Sequence, residues 1–130
     1  MQDQPAAQKE MHPIKLIVIV EDDHDIALTL VEMIEKMTPY KTHVISDARQ
    51  ALHNLAGIRP DLLLVDYYLP EMNGIQFYDR LQEIPVTRQI PVLFMSANLP
   101  APELAQRHLS GLYKPLDLDI LLSTIELMLQ

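Results

Sequence analysis

Two short apolar segments, KLIVIV at 15–20 and DLLLVD at 61–66, constrain this chain more than any other feature. Neither alternates apolar with polar residues, so neither suits a strand with one wet face. A strand that is apolar on both sides needs cover on both sides, which is the setting of a parallel sheet between helices. Both segments end on carboxylates. Glu21 and Asp22 follow the first, and Asp66 closes the second.

The stretches between and beyond them fill out the pattern. After the acidic residues 21–25, Ile26, Leu30, Met33, Ile34 and Met37 recur at helical spacing, with Asp23 or Asp25 as cap and Pro39 as stop. KTHVIS at 41–46 reads as a second, more polar strand. A helix follows from about Ala48 to Ala56, with Gly57 ending it. YYLPEMNG at 67–74 is loop, because Pro70, Asn73 and Gly74 are turn formers. A helix resumes over 75–81. Pro85 and Pro91 bracket the approach to a fourth strand, VLFMS. NLPAP is again loop, before a short helix over 103–109 and a brief strand over 111–113. After Pro115, Asp117 caps a last helix to about Leu129. Five strands alternating with five helices predict a three-layer α/β domain over 14–130. Residues 1–13, MQDQPAAQKEMHP, are expected to be a flexible tail.

Composition narrows the function. Hydrophobic residues make up 48% of the chain, enough for a real core, but with no Trp and only two Phe the core must be aliphatic. Ten basic against eighteen acidic residues leave a net charge of −8, which disfavours direct nucleic-acid binding. The absence of cysteine excludes disulfides and thiolate metal sites. No secretory or membrane-spanning run is visible, so a soluble cytoplasmic protein is expected, with no membrane partner.

In an open parallel sheet, sites form beyond the carboxyl ends of the strands. There this chain places Glu21 and Asp22, Asp66, Ser96 and Ala97, and Lys114. Clustered carboxylates repel one another and call for a cation; hard oxygen ligands suit magnesium. Lys114 and Ser96 would balance an arriving phosphate. A carboxylate nucleophile would give an acyl phosphate. Taken singly, each residue has a plainer role as turn, cap or surface charge; Asp23 and Asp25 fit that role. It is the shared placement that argues for a site. Asp61, Glu71 and Asp79 lack it. His12, His24, His43, His53 and His108 are scattered, and only His24 is near enough to touch the acidic cluster.

Four segments resemble the receiver domains of response regulators. VIVEDDHDI resembles their acidic first-strand end, and DLLLVDYYLPEMNG the stretch around their phosphorylated aspartate. PVLFMSA resembles their fourth strand, and YKPLD the Lys-Pro segment after the fifth. The resemblance covers about Ile14 to Leu129. It implies a flavodoxin-like fold with strand order 2-1-3-4-5. It implies that Asp66 accepts a phosphoryl group from a phosphohistidine on a sensor histidine kinase or phosphotransfer protein, and that the domain then switches conformation. It makes Asp22, Asp66, the Tyr68 carbonyl and, less directly, Glu21 the ligands of Mg2+, with Mn2+ a substitute. Ser96 and the Ala97 amide would meet phosphoryl oxygens, Lys114 would pair with the phosphate, and the Lys114–Pro115 peptide would be cis. Such a domain labels only itself and is not otherwise an enzyme. The alternatives are a receiver-like interaction module that needs no phosphorylation, and a haloacid-dehalogenase-type phosphatase; the latter wants an acid two residues after its nucleophile, where Tyr68 stands.

Two departures from the family pattern stand out. The stretch from Ser96 to Lys114 is short, so the fourth helix should be short or irregular. The family's aromatic three residues before the lysine is Gly111 here. Tyr113 shares the parity of Gly111 and faces the same side, either as a substitute or as a packed edge residue. In the last helix, Leu118, Leu121, Leu122, Ile125 and Leu129 form a stripe for the sheet, and Ile120, Leu127 and Met128 fall partly off it. Apolar residues on a second side predict a partner there, with a homodimer through the last strand and helix as one form.

Overall fold

The computed structural model describes residues 14–130, so the tail expected at 1–13 lies outside the described residues. β1 (Leu16–Val20), β2 (Lys41–Ile45), β3 (Leu62–Asp66), β4 (Val92–Ser96) and β5 (Ser110–Tyr113) make one parallel sheet. Its order is β2-β1-β3-β4-β5, the flavodoxin-like order. The helices are α1 (His24–Met37), α2 (Ala48–Ile58), α3 (Gly74–Glu83), α4 (Ala101–Gln106) and α5 (Leu118–Leu129). Among the described residues, no helix is long and apolar enough to cross a membrane.

The continuous apolar runs serve two cores at once, because successive side chains of a strand point to opposite faces. Val18, Val20, Leu63, Val65, Val92 and Phe94 face α2 and α3, where they meet Ala51, Leu55, Phe77 and Leu81. Ile17, Ile19, Leu62, Leu64, Leu93 and Met95 face α1 and α5, where they meet Leu30, Ile34, Leu121 and Ile125. β3 and β4 are buried at every residue, whereas β2, at the sheet edge, is mostly exposed. The edge is blunted: Glu35 Oε2 accepts from Thr42 N at 2.9 Å, occupying a donor that another strand would need.

Local capping sets most helix starts. Asp23, not Asp25, caps α1 by accepting from Ile26 N at 3.0 Å. Asp117 caps α5 in the same way, as expected. Asn73 and Gln76 form a reciprocal capping box, so α3 starts at Gly74, inside the segment expected to be loop. Gly57 does not stop α2. The helix continues to Ile58, and Arg59 ends it in the left-handed conformation, with φ of 56°. α4 spans 101–106, not 103–109, and is indeed short. Pro102 is tolerated in its first turn, where an N–H has no helical partner. His108 then turns left-handed, also at φ 56°. On α5 the inward face runs through Leu121, Ile125, Met128 and Leu129, at i, i+4, i+7 and i+8. Met128 is therefore a core-facing residue, while Leu118 and Leu122 flank that face. Ile120 and Leu127 lie off it, 53% and 70% exposed.

Two backbone positions test this account by urea denaturation. A Cβ on Gly74 would overlap the Tyr67 ring and come within 2.6 Å of Phe94. Gly74→Ala should cost about 1–3 kcal/mol, the usual range for overpacking. His108→Gly should gain up to about 1 kcal/mol, since a left-handed residue with a Cβ is strained by roughly that much. An unchanged midpoint in both variants would contradict it.

Candidate functional site

The site is assembled by strand register. Val20 pairs with Val65, so the residue after β1 and the last residue of β3 emerge together. These are Glu21 and Asp66. Asp66 pairs with Met95 on its other side, and Ser96 with Tyr113, which carries Lys114 to the same edge. The Lys114 amide donates to the Ser96 carbonyl at 2.8 Å and fixes the start of the last loop. The Lys114–Pro115 peptide is cis, as the resemblance implied.

One carboxylate oxygen from each of Glu21, Asp22 and Asp66 lies within 4.8 Å of the others. Asp22 is exposed, while Glu21 is only 2% exposed. Glu21 Oε2 accepts from Asp23 N at 3.2 Å, but Oε1 is buried with no hydrogen-bond partner. Lys114 Nζ stands 3.6 Å from that Oε1 and 3.8 Å from Asp66 Oδ1. Both distances are too long for a hydrogen bond and short enough for charge attraction. Asp66 Oδ1 also accepts from Tyr68 N at 3.3 Å. Burial, and then repulsion from Asp66 and Asp22, raises the Glu21 carboxyl from 4.5 to about 7, although Asp23 N and Lys114 pull the other way. One ammonium does not balance three carboxylates. A divalent cation fits this donor set: hard oxygens, one of them buried and unpartnered, with net negative charge left over.

Ser96 is buried at the end of β4, and Ala97 beside it is exposed. The Ser96 hydroxyl is engaged with the loop backbone: it accepts from Asn98 N at 3.1 Å and donates to Asn98 O at 3.2 Å. Tyr68 is exposed, two residues beyond Asp66. All the residues expected at the strand ends are thus on one edge. His24 is not among them. It opens α1 with an exposed side chain and joins neither the carboxylates nor Lys114. Asp61, Glu71 and Asp79 have structural partners instead: Leu16 N, Arg49 and Arg107. The sequence reading missed Asn98, which holds Ser96, and Leu99, whose side chain fills the notch above Gly111. Nothing local to either residue signals these roles.

With the geometry in view, comparison with known proteins defines the class. The model of the response regulator receiver domain matches residues 17–126. The chain belongs to that family, and it is a receiver domain of two-component signalling. It is 37% identical over 81 residues to the cyclic di-GMP phosphodiesterase response regulator RpfG of Xanthomonas campestris, covering 62% of this chain and 21% of that protein. It is 31% identical over 113 residues to the sensor protein EvgS of Escherichia coli, covering 84% and 9%. The chain therefore spans less than a quarter of either relative. Among solved structures, a sensor protein from Polaromonas sp. JS666 is similar at 30% identity and a TM-score of 0.80, covering 90% of this chain and 97% of that one. The receiver domain of a signal transduction histidine kinase from Syntrophus aciditrophicus is similar at 28% identity and a TM-score of 0.77, covering 88% and 89%.

The raised Glu21 carboxyl has a consequence for stability. Its folded value lies above its unfolded one, so the fold binds a proton there that the unfolded chain has released. Cation-free protein should be fully stable in this respect below about pH 4.5 and should lose that contribution as pH rises through about 7. Glu21→Gln should flatten the slope. Urea midpoints across that window, in the presence of chelator, measure it; an equal slope in both proteins would rule it out.

Proposed function

We propose that Asp66 is the phosphoacceptor, that the reaction depends on Mg2+, and that the donor is a phosphohistidine on a sensor histidine kinase or phosphotransfer protein. The observation that carries this reading is the meeting of Glu21, Asp22 and Asp66 with Lys114 at the strand ends. In the step, an Asp66 carboxylate oxygen bonds to phosphorus as the phosphorus–nitrogen bond breaks. The electron pair of that bond returns to the imidazole nitrogen, and Asp66 becomes an acyl phosphate. Glu21, Asp22, Asp66 and the Tyr68 carbonyl would hold Mg2+, for which Mn2+ could stand in. The ion supplies neutralisation of charge on the transferring group. Lys114 pairs with the phosphoryl oxygens as a mobile point charge. Ser96 and the Ala97 amide donate to them, which requires the Ser96 hydroxyl to leave Asn98. The reaction modifies the domain itself and turns over no other substrate.

The donor needs a place to dock beside Asp66. A cleft of about 380 Å³ between α1 and the segment after β5 is lined by Ile26, Leu30, Met33, Pro115 and Leu116, with Lys114 at its site end. Such an apolar groove suits an amphipathic helix of the donor protein. On the opposite flank, Tyr113, Ile120 and Leu127 are exposed, and we assign them to self-association through β5 and α5. The reading places the domain in the cytoplasm, where such donors are charged.

Incubation with a small phosphodonor and Mg2+ should add one base-labile phosphoryl group, and Asp66→Asn should remove it. Label in Asp66→Asn equal to wild type would refute the assignment. Asp22→Ala should abolish the Mg2+ response, and Lys114→Ala should lose the conformational response more than phosphoryl uptake. Sedimentation with and without beryllofluoride tests the dimer: a monomer in both states, unchanged by Ile120→Glu, would exclude it.

A further inference from the structure

Tyr67 is buried, although it follows the last residue of β3 and opens a loop. Its amide extends the ladder by donating to the Met95 carbonyl at 2.9 Å. Its ring packs edge-on against Phe94, with centroids 5.5 Å apart, and covers Gly74, the first residue of α3. A Cβ on Gly74 would meet Tyr67 Cε1 at 2.7 Å and Phe94 Cε1 at 2.6 Å. The backbone itself does not call for glycine there, since among the described residues no glycine has a positive φ. Gly74 is needed for the space that the ring takes. The hydroxyl reaches on to the first turn of α3: burial raises it above its ordinary range, while the Ile75 amide pulls the other way.

Ring and glycine stand at the two ends of the loop 68–73. Within that loop only Leu69 is buried. Tyr68 bridges to Asn73 across the neck, and Glu71 pairs with Arg49 in an exposed ion pair of little strength. The Tyr68 ring is exposed and leans edge-on against the Tyr67 ring, with centroids 4.9 Å apart. The backbone of Tyr68 is thus located largely through its neighbour. We propose that Tyr67 is a positioning residue for the cation: its ring, buckled over Gly74, closes the loop and so presents the Tyr68 carbonyl to the metal. The inference rests on the reading above that this carbonyl is a ligand. On a loose loop the cation would have to order the carbonyl itself, at a loss of affinity; the contact of ring with glycine orders it beforehand.

Compensation of volume separates this role from plain stability. Tyr67→Leu is too short to cover Gly74 and leaves a gap above it. Gly74→Ala forces the ring aside. In the double variant the new methyl group takes up part of the space that the ring has left, so the two losses do not add. The packing recovers, yet no ring closes the loop. Tyr67→Phe keeps the ring and gives up only the hydroxyl.

Mg2+ titration followed by NMR of backbone amides and carbonyls measures binding, and urea denaturation measures stability on the same proteins. In wild type the Tyr68 carbonyl carbon should shift with Mg2+, and Asp22→Ala should remove that shift. Tyr67→Phe should bind Mg2+ like wild type. Tyr67→Leu and Gly74→Ala should bind about 10–100-fold more weakly, the usual loss when a group that orients a metal ligand is removed. The double variant should have a higher urea midpoint than either single variant and still bind Mg2+ as weakly as Tyr67→Leu. Affinity that recovers along with stability in the double variant would make the role plainly structural and overturn the proposal. A double variant no more stable than the single ones would show that ring and glycine do not share one space, and would overturn it too. So would wild-type affinity in Tyr67→Leu, or a loss in Tyr67→Phe equal to that in Tyr67→Leu. Mg2+ binding that leaves the Tyr68 carbonyl carbon unmoved would overturn the proposal and spare the acidic cation site. No Mg2+ binding in wild type would overturn the cation reading and the proposal with it.

Discussion

Val20 of β1 lies opposite Val65 of β3, so the residues that follow them leave the sheet side by side. The whole site depends on this pairing. A slip of one residue would reverse the faces of β1 and send Ile17 and Ile19 into the wrong core. The two cores therefore enforce the register, and the register places Glu21 next to Asp66. The geometry of the acidic cluster is a by-product of packing. It is held by buried aliphatic side chains that contribute no polar atom to the site.

That pairing creates an electrostatic conflict. Three carboxylates share one edge with a single ammonium, and one of their oxygens is buried without a partner. In an ordinary core such a group would be replaced by an apolar one. Here the unpartnered oxygen lies in a cluster of hard donors with negative charge left over, which suits a divalent cation. The proton raised onto Glu21 is the local relief available without a cation.

The β5 side of the sheet is built from smaller pieces. β1, β3 and β4 are central and buried, whereas the β5 side carries a six-residue helix, a glycine notch and an exposed tyrosine. A loop leucine occupies the space that a larger residue at position 111 would take.

The sequence by itself determined the order of elements, the strands buried on both faces, the residues at their carboxyl ends and the cap at Asp117, and it narrowed the cap of α1 to Asp23 or Asp25. These are properties of a few adjacent residues: apolar runs, a helical period, a side-chain oxygen before a helix. It also showed that α4 must be short and that Gly111 breaks the family pattern. It misplaced what depends on distant neighbours. Gly57 looks like a helix stop, yet Arg59, two residues further on, takes that role. Gly74 looks like loop, yet the capping box of Asn73 and Gln76 makes it the first residue of α3, where only a residue without a Cβ fits beneath Tyr67. Met128 faces inward because the α5 face is set by Leu121 and Ile125 against the sheet. Tertiary structure alone decided that Glu21 is buried and its oxygen unpartnered, that Lys114 reaches both Glu21 and Asp66, and that Leu99 fills the notch at Gly111. Each of these is a contact between residues far apart in the chain, and such contacts exist only once strand register has brought them together.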